Sequence, residues 1–209
     1  MRNIHNIIFD YGNVIFQIDF LKTRNAFQAL GIQDADSIFS HTEQHSLFDK
    51  LDTGKISDAE FYAGIRELSG QNELSDDQIR DAWNALLIGV PKGNHEILLE
   101  MKSKYRTFLL SNNNEIHYRF IMNYLKRNFG VEDNSGFFEK DYYSHLVGMR
   151  KPNRDIFEFV IKEQKLVPEQ TLFIDDSPQH LLTAKELGLQ TELLTSPDTL
   201  QKLIKRLNL

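Results

Sequence analysis

The hydrophobic pattern of this chain changes its period twice. Ile7, Ile8 and Phe9 form an unbroken apolar run that stops at Asp10, as expected of a short strand buried on both faces. From residue 17 to residue 88 the spacing reads as helices only. Phe20, Phe27 and Leu30 belong to a first helix that Gly31 stops. Ser57-Asp58-Ala59-Glu60 is a capping-box pattern ahead of Phe61, Ile65 and Leu68. Ser75-Asp76-Asp77-Gln78 repeats it ahead of Ile79, Trp83, Leu86 and Leu87. After Pro91 short apolar runs alternate with helical spacing. Ile97, Leu98 and Met101 predict a helix, and Phe108-Leu109-Leu110 a buried strand ending at Ser111. A helix then runs to about Gly130, and residues 137–143 hold another strand. Ile156, Phe157, Val160 and Ile161 mark a helix, and Thr171-Leu172-Phe173-Ile174 a strand ending at Asp175. Pro178 opens a helix that Gly188 closes, and a strand at 191–194 and a final helix complete the pattern.

Strands alternating with helices of this length predict a parallel sheet with helices on both faces, a Rossmann-like α/β core. Its first strand is separated from the rest by the helical stretch, which therefore reads as an insertion. The expected organisation is an α/β core of residues 1–16 and 91–209 carrying an inserted helical-bundle cap of residues 17–90. Phe48 and Trp83 are expected to pack the interior of that cap.

Charge refines this picture. Residues 16–90 hold 13 Asp and Glu against 6 Lys and Arg, and the remainder is close to neutral with 17 against 18. A wide acidic surface repels polyanions, so nucleic acid is not an expected partner. An anionic substrate would need local neutralisation by a metal or by placed cations. The 209 residues include no cysteine, which excludes disulfides, thiol catalysis and cysteine-held zinc and fits a reducing compartment. The first residues lack a signal-peptide pattern, and no apolar run is long enough to cross a bilayer. A cytoplasmic protein with no membrane partner, monomeric or homodimeric, is expected.

Candidate chemistry sits where strands end. Asp10, Ser111 and the Asp175-Asp176 pair each close a predicted strand. In an open parallel sheet, ligands bind outside the carboxyl ends of strands, so these residues can converge. Each alone has a plain structural reading: a turn cap for Asp10, helix caps for Ser111 and for the Asp176-Ser177-Pro178 start. Together they are harder to dismiss. Converging carboxylates repel unless a cation sits among them, and an oxygen-only set suits Mg²⁺. Lys151, in Gly148-Met149-Arg150-Lys151-Pro152, can supply a fixed positive charge. Ser111 and backbone N–H groups can hold an anion's oxygens. Such a set suits phosphoryl transfer through an Asp nucleophile.

Asp10-Tyr11-Gly12-Asn13-Val14, Leu110-Ser111-Asn112, Lys151-Pro152 and Phe173-Ile174-Asp175-Asp176 resemble the four ordered motifs of the haloacid dehalogenase-like (HAD) hydrolase superfamily. The helical stretch after the first motif resembles its type 1 cap. At finer grain, Asp10 to Ile15 followed by Ile18-Asp19-Phe20, with Gly148 to Pro152, resembles the bacterial α-D-glucose-1-phosphate phosphatase branch. The resemblance implies a Mg²⁺-dependent phosphatase of small phosphorylated metabolites, sugar phosphates such as glucose 1-phosphate leading, that works through an aspartyl phosphate. It implies that Asp10 is the nucleophile and a metal ligand and that Gly12 offers a backbone carbonyl to the metal. Asp176 would be a direct ligand, and Asp175 a ligand or a partner through water. Ser111 and the Asn112 backbone would bind the phosphoryl oxygens, and Lys151 would neutralise nucleophile and phosphate.

One departure stands out. The usual motif has a second Asp, the general acid and base, where this chain has Gly12. General acid–base help is worth roughly 10²–10⁴-fold, so slower turnover is expected, least harmful for a good leaving group. Asn13 does not titrate usefully; Asp19, at the cap junction, is a weak substitute. His41 and His45 lie four apart and would share a helix face, an exposed pair being the plainer reading. Two rivals remain. A 2-haloacid dehalogenase also lacks the second Asp, but it loses the acidic pair that Asp175-Asp176 keep. A non-catalytic phospho-ligand-binding pseudophosphatase has little need of a presented nucleophile.

Overall fold

The computed structural model describes residues 3–32 and 46–209. The chain runs β1 (Asn6–Phe9), β2 (Gln17–Ile18), α1 (Phe20–Ala29), α2 (Ser46–Asp52), α3 (Asp58–Ser69), α4 (Asp76–Asn84), β3 (Leu87–Gly89) and α5 (Asn94–Lys104). It continues through β4 (Arg106–Ser111), α6 (Glu115–Phe129), β5 (Lys140–Tyr143), α7 (Ser144–Val147), α8 (Arg154–Glu163), β6 (Thr171–Asp175), α9 (Pro178–Glu186), β7 (Gln190–Leu193) and α10 (Leu200–Leu207). Five strands form one sheet in the order β5-β4-β1-β6-β7, and every pair is parallel. β1 is thus central, flanked by β4 and β6.

Strand alternation divides the apolar side chains between two layers. Ile7, Phe9, Leu109, Leu172 and Ile174 face one side and pack with Leu98, Met101, Ile121, Leu125 and Leu203 of α5, α6 and α10. Ile8, Phe108, Leu110 and Phe173 face the other and pack with Ile156, Phe157, Val160 and Ala184 of α8 and α9. Helices cover both faces, as the α/β pattern predicts. β5 begins at Lys140 rather than 137: Phe137 and Phe138 are buried but lie outside the strand.

A third core belongs to the helices between β2 and β3. It gathers Phe27, Leu51, Phe61, Ile65, Ile79 and Ala82, with Ile116 of α6 against it. Phe48 stacks on Trp83 at 5.5 Å and both pack here, as expected from the sequence. Both capping boxes form, at Ser57 with Glu60 and at Ser75 with Gln78. Among the described residues no helix is long and apolar enough to cross a membrane.

The reading of residues 17–88 as helices only is corrected. β2 and β3 pair antiparallel, with Gln17 opposite Gly89 and Ile18 opposite Leu87. Leu86 and Leu87 fit the helical spacing of α4, but the helix ends at Asn84. There the Leu86 N–H donates to Thr23 Oγ1 (3.0 Å) and the Asp19 N–H donates to the Leu86 carbonyl (2.9 Å). Thr23 of α1 and Asp19, its cap residue just after β2, both remote in sequence, therefore draw these residues into a ribbon. Gly89 is required in it: at φ +145 a Cβ would stand 2.4 Å from Tyr124 Oη.

Candidate active site

β4, β1 and β6 are neighbours, so their carboxyl ends bring Ser111, Asp10 and Asp175 to one edge of the sheet. Asp10 continues the ladder past β1, its N–H donating to the Ile174 carbonyl at 2.9 Å. Asp10, Asp175 and Asp176 each place a carboxylate oxygen within 4.8 Å of the others. Lys151, on the loop between α7 and α8, is fully buried. Its Nζ donates to Asp10 Oδ1 at 2.6 Å and to Asp175 Oδ2 at 2.7 Å.

The second motif holds the third in place. Asn112 Oδ1 accepts from the Lys151 N–H (2.9 Å) and Asn112 Nδ2 donates to the Lys151 carbonyl (2.8 Å). That two-point clasp fixes the Lys151 backbone against the end of β4. Ser111 is buried and does not cap α6. Asn114 does so instead, accepting from the His117 N–H at 3.0 Å. The capping reading of Ser111 is thereby set aside.

Three carboxylates facing one lysine leave an excess of buried negative charge. Burial, with the Asp175 and Asp176 carboxylates, pushes Asp10 up to about 7, although Lys151 opposes this. Burial also acts to raise Asp175, but Lys151 and His180 outweigh it and hold the carboxyl near 2. Burial lifts Asp176 above its ordinary value, partly offset by the amide of Asn13. Burial disfavours the Lys151 ammonium, yet Asp10 and Asp175 more than compensate and keep it protonated. An oxygen-only set carrying this excess charge fits a hard divalent cation.

Sequence reasoning missed several groups. His180 Nδ1 lies 3.0 Å from both carboxylate oxygens of Asp175; its signal was a histidine one turn into the helix that follows the acidic pair. Asn13 Nδ2 donates to Asp176 Oδ2 at 3.0 Å. Arg150 reaches α2, pairing with Asp49 and standing 3.6 Å from Asp52. Asp52 also accepts from Asn114 Nδ2 at 3.3 Å, and burial pushes its carboxyl up to about 6.

Asp19 caps α1, its carboxylate accepting from the Leu21 N–H at 3.0 Å, and so has its own structural task. At Gly12 the space a side chain would enter is occupied: a Cβ would lie 3.0 Å from Ile18 Cδ1. His41 and His45 lie outside the described residues.

Sheet order, strand-end acids and buried lysine together describe a hydrolase of known type. Residues 4–188 match the family model of the haloacid dehalogenase-like hydrolases, and the chain belongs to that family. A curated relative, D-ribitol-5-phosphate phosphatase of Bacteroides thetaiotaomicron, is 35% identical over 191 residues, covering 90% of both chains. A point mutant of a HAD family enzyme from the same species, solved in complex with magnesium and inorganic phosphate, superposes with a TM-score of 0.87. It is 32% identical, and the match covers 96% of this chain and 98% of that one. A HAD-like hydrolase from Porphyromonas gingivalis superposes with a TM-score of 0.87 at 32% identity, covering 98% of each. An L-2-haloacid dehalogenase shares the fold at 18% identity, with a TM-score of 0.65.

Proposed function

We propose that this chain is a Mg²⁺-dependent phosphatase of small phosphorylated metabolites, with sugar and sugar-alcohol phosphates as its substrate class. The observation that carries the reading is the buried Lys151 joining Asp10 to Asp175, with Asp176 beside them. In this reading an Asp10 carboxylate oxygen attacks phosphorus, the P–O ester bond breaks, and the departing alkoxide takes a proton from solvent water because Gly12 offers no acid. Water then cleaves the aspartyl phosphate, releasing phosphate and restoring Asp10. Ser111 Oγ and the Asn112 N–H hold the phosphoryl oxygens, and Lys151 neutralises nucleophile and phosphate. Asp10, Asp176, the Gly12 carbonyl and Asp175, directly or through water, would hold Mg²⁺, which when bound supplies charge neutralisation at the phosphoryl group.

Residues 17–90 serve in this reading as a cap on a core of 1–16 and 91–209. The β2–β3 ribbon is its hinge, and closure excludes bulk water. The retained acidic pair favours phosphate over a haloacid. The ribitol-5-phosphate phosphatase relative supports a sugar-alcohol phosphate, and the first-motif pattern supports the glucose 1-phosphate alternative.

The test is phosphate release from D-ribitol 5-phosphate, glucose 1-phosphate and glucose 6-phosphate, with Mg²⁺ and with EDTA. Release that needs Mg²⁺ and vanishes in Asp10→Asn is the expected outcome, and the best substrate assigns the class. A folded protein that cleaves none of the three, but dechlorinates 2-chloropropionate, would overturn the phosphatase reading.

A further inference from the structure

Asn13 follows Gly12 in the turn after β1, at φ +55. Asparagine is among the few residues that enter this left-handed region readily, so the backbone alone accounts for its presence. It does not account for what the side chain does. The amide is engaged at both ends: Nδ2 donates to Asp176 Oδ2 at 3.0 Å, and Oδ1 accepts from the Ile18 N–H at 3.1 Å. One planar group therefore joins a carboxylate of the acidic cluster to the second residue of β2.

The neighbouring contacts make this link stiff. The Asn13 N–H donates to the Phe16 carbonyl at 2.8 Å, and Gly12 bridges to Phe16, which closes the turn. Ile18 pairs with Leu87 of β3, and its side chain rests against Gly12. Beyond β3 the Val90 N–H donates to Tyr124 Oη at 3.2 Å, seating the ribbon on α6. The chain enters the helical insertion through β2 and leaves it through β3. A change in the orientation of the Asp176 carboxylate thus has a short, hydrogen-bonded route to both strands.

We propose that Asn13 is a positioning residue that couples the Asp176 carboxylate to the β2–β3 hinge, so that metal loading and ordering of the hinge reinforce each other. This rests on the reading of Asp176 as a metal ligand. Holding Oδ2 with the Asn13 amide leaves Oδ1 free to face a cation. A cation that fixes the carboxylate also fixes the amide plane, and with it the acceptor of the Ile18 N–H. Linkage requires the effect to run both ways, an ordered hinge tightening the metal site.

Asn13→Gly is the informative variant, because glycine suits φ +55 and the substitution removes the side chain without straining the turn. Mg²⁺ is titrated calorimetrically into the full chain without substrate, and exchange of the Ile18 amide is followed by NMR with and without the metal. In the wild type, Mg²⁺ is expected to slow exchange at Ile18. In Asn13→Gly, binding is expected to be roughly tenfold weaker, the scale of one charge-assisted hydrogen bond, and Ile18 exchange should no longer respond to the metal. A merely structural role would move neither the affinity nor the metal-dependence of one amide. Asp176→Asn separates the two layers of the argument. Wild-type affinity in Asp176→Asn overturns the metal-site reading, and the coupling with it. Loss of binding there, with Asn13→Gly retaining full affinity and a metal-responsive Ile18, overturns the coupling alone.

Discussion

Gly12 concentrates the chemistry of this site into one position. Motifs of this type usually carry a titratable second Asp here, and the chain instead fills the corresponding space with the Ile18 side chain, 3.0 Å from where a Cβ would stand. The neighbour is the flexible end of an aliphatic chain, so it can yield, but a carboxylate would then abut an apolar group. Gly12→Asp alone is therefore expected to raise turnover little. Gly12→Asp with Ile18→Ala should exceed it by several-fold, within the roughly 10²–10⁴-fold that acid–base help supplies. Steady-state rates of the two variants on one phosphate ester decide it, and a double variant no faster than the single would refute the steric account. Asp10→Asn should abolish turnover in every background, since an amide is no nucleophile; retained activity would remove Asp10 from that role.

The elements form where local chemistry and periodicity agree. Both capping boxes, Ser57 with Glu60 and Ser75 with Gln78, satisfy backbone donors at helix starts that would otherwise lack partners. Ser57→Ala and Ser75→Ala should each cost about 1 kcal/mol of stability, measured by thermal unfolding; a loss near zero would mean that α3 or α4 is held by packing alone. The ribbon is the counter-example. Leu86 and Leu87 continue the helical spacing of Ile79 and Trp83, and Thr23 and Asp19, together with the pairing of Ile18 and Leu87, pull them out of it from about 60 residues earlier in the chain. The positions of α6 and α9 needed no such help, because their apolar spacing coincides with the stops at Gly130 and Gly188.

At the scale of the whole molecule, the α2–α3 corner rests on α6, on α7 and on the Lys151 loop. Asp49 and Asp52 meet Arg150, Asp58 meets Arg119, and Gly54 lies so close to α7 that a Cβ would stand 2.3 Å from the His145 carbonyl. Gly54→Ala should therefore destabilise the protein more than Gly70→Ala. Both positions have left-handed φ, but at Gly70 a Cβ meets nothing within 4 Å. Equal losses in melting temperature would mean that the corner yields freely. His117 marks another seam, its Nδ1 2.9 Å from Asn84 Oδ1. Burial lowers His117 to about 3, so the folded chain refuses a proton that the unfolded chain accepts below about pH 6.5. Its contribution to stability is present above that pH and is lost as pH falls from 6.5 toward 3. His117→Gln should flatten this acid loss by up to about 1.4 kcal/mol per pH unit, one proton's worth. Parallel stability profiles for wild type and variant between pH 7 and 4.5 would count against it.

By itself the sequence indicated the α/β alternation and the capped helices between β2 and β3, and it marked Asp10, Lys151, Asp175 and Asp176, which the structure brings together. It could do so because burial imposes a period, caps need particular side chains, and an acid at the end of an apolar strand has no packing purpose. Tertiary structure decided the rest. It chose the strand order that makes β4, β1 and β6 neighbours and closed Lys151 between two carboxylates. It paired β2 with β3, and it turned Asn13 and Arg150 toward partners as many as 163 residues away. Those contacts depend on which distant groups the fold brings within hydrogen-bonding reach, and no local spacing encodes that distance.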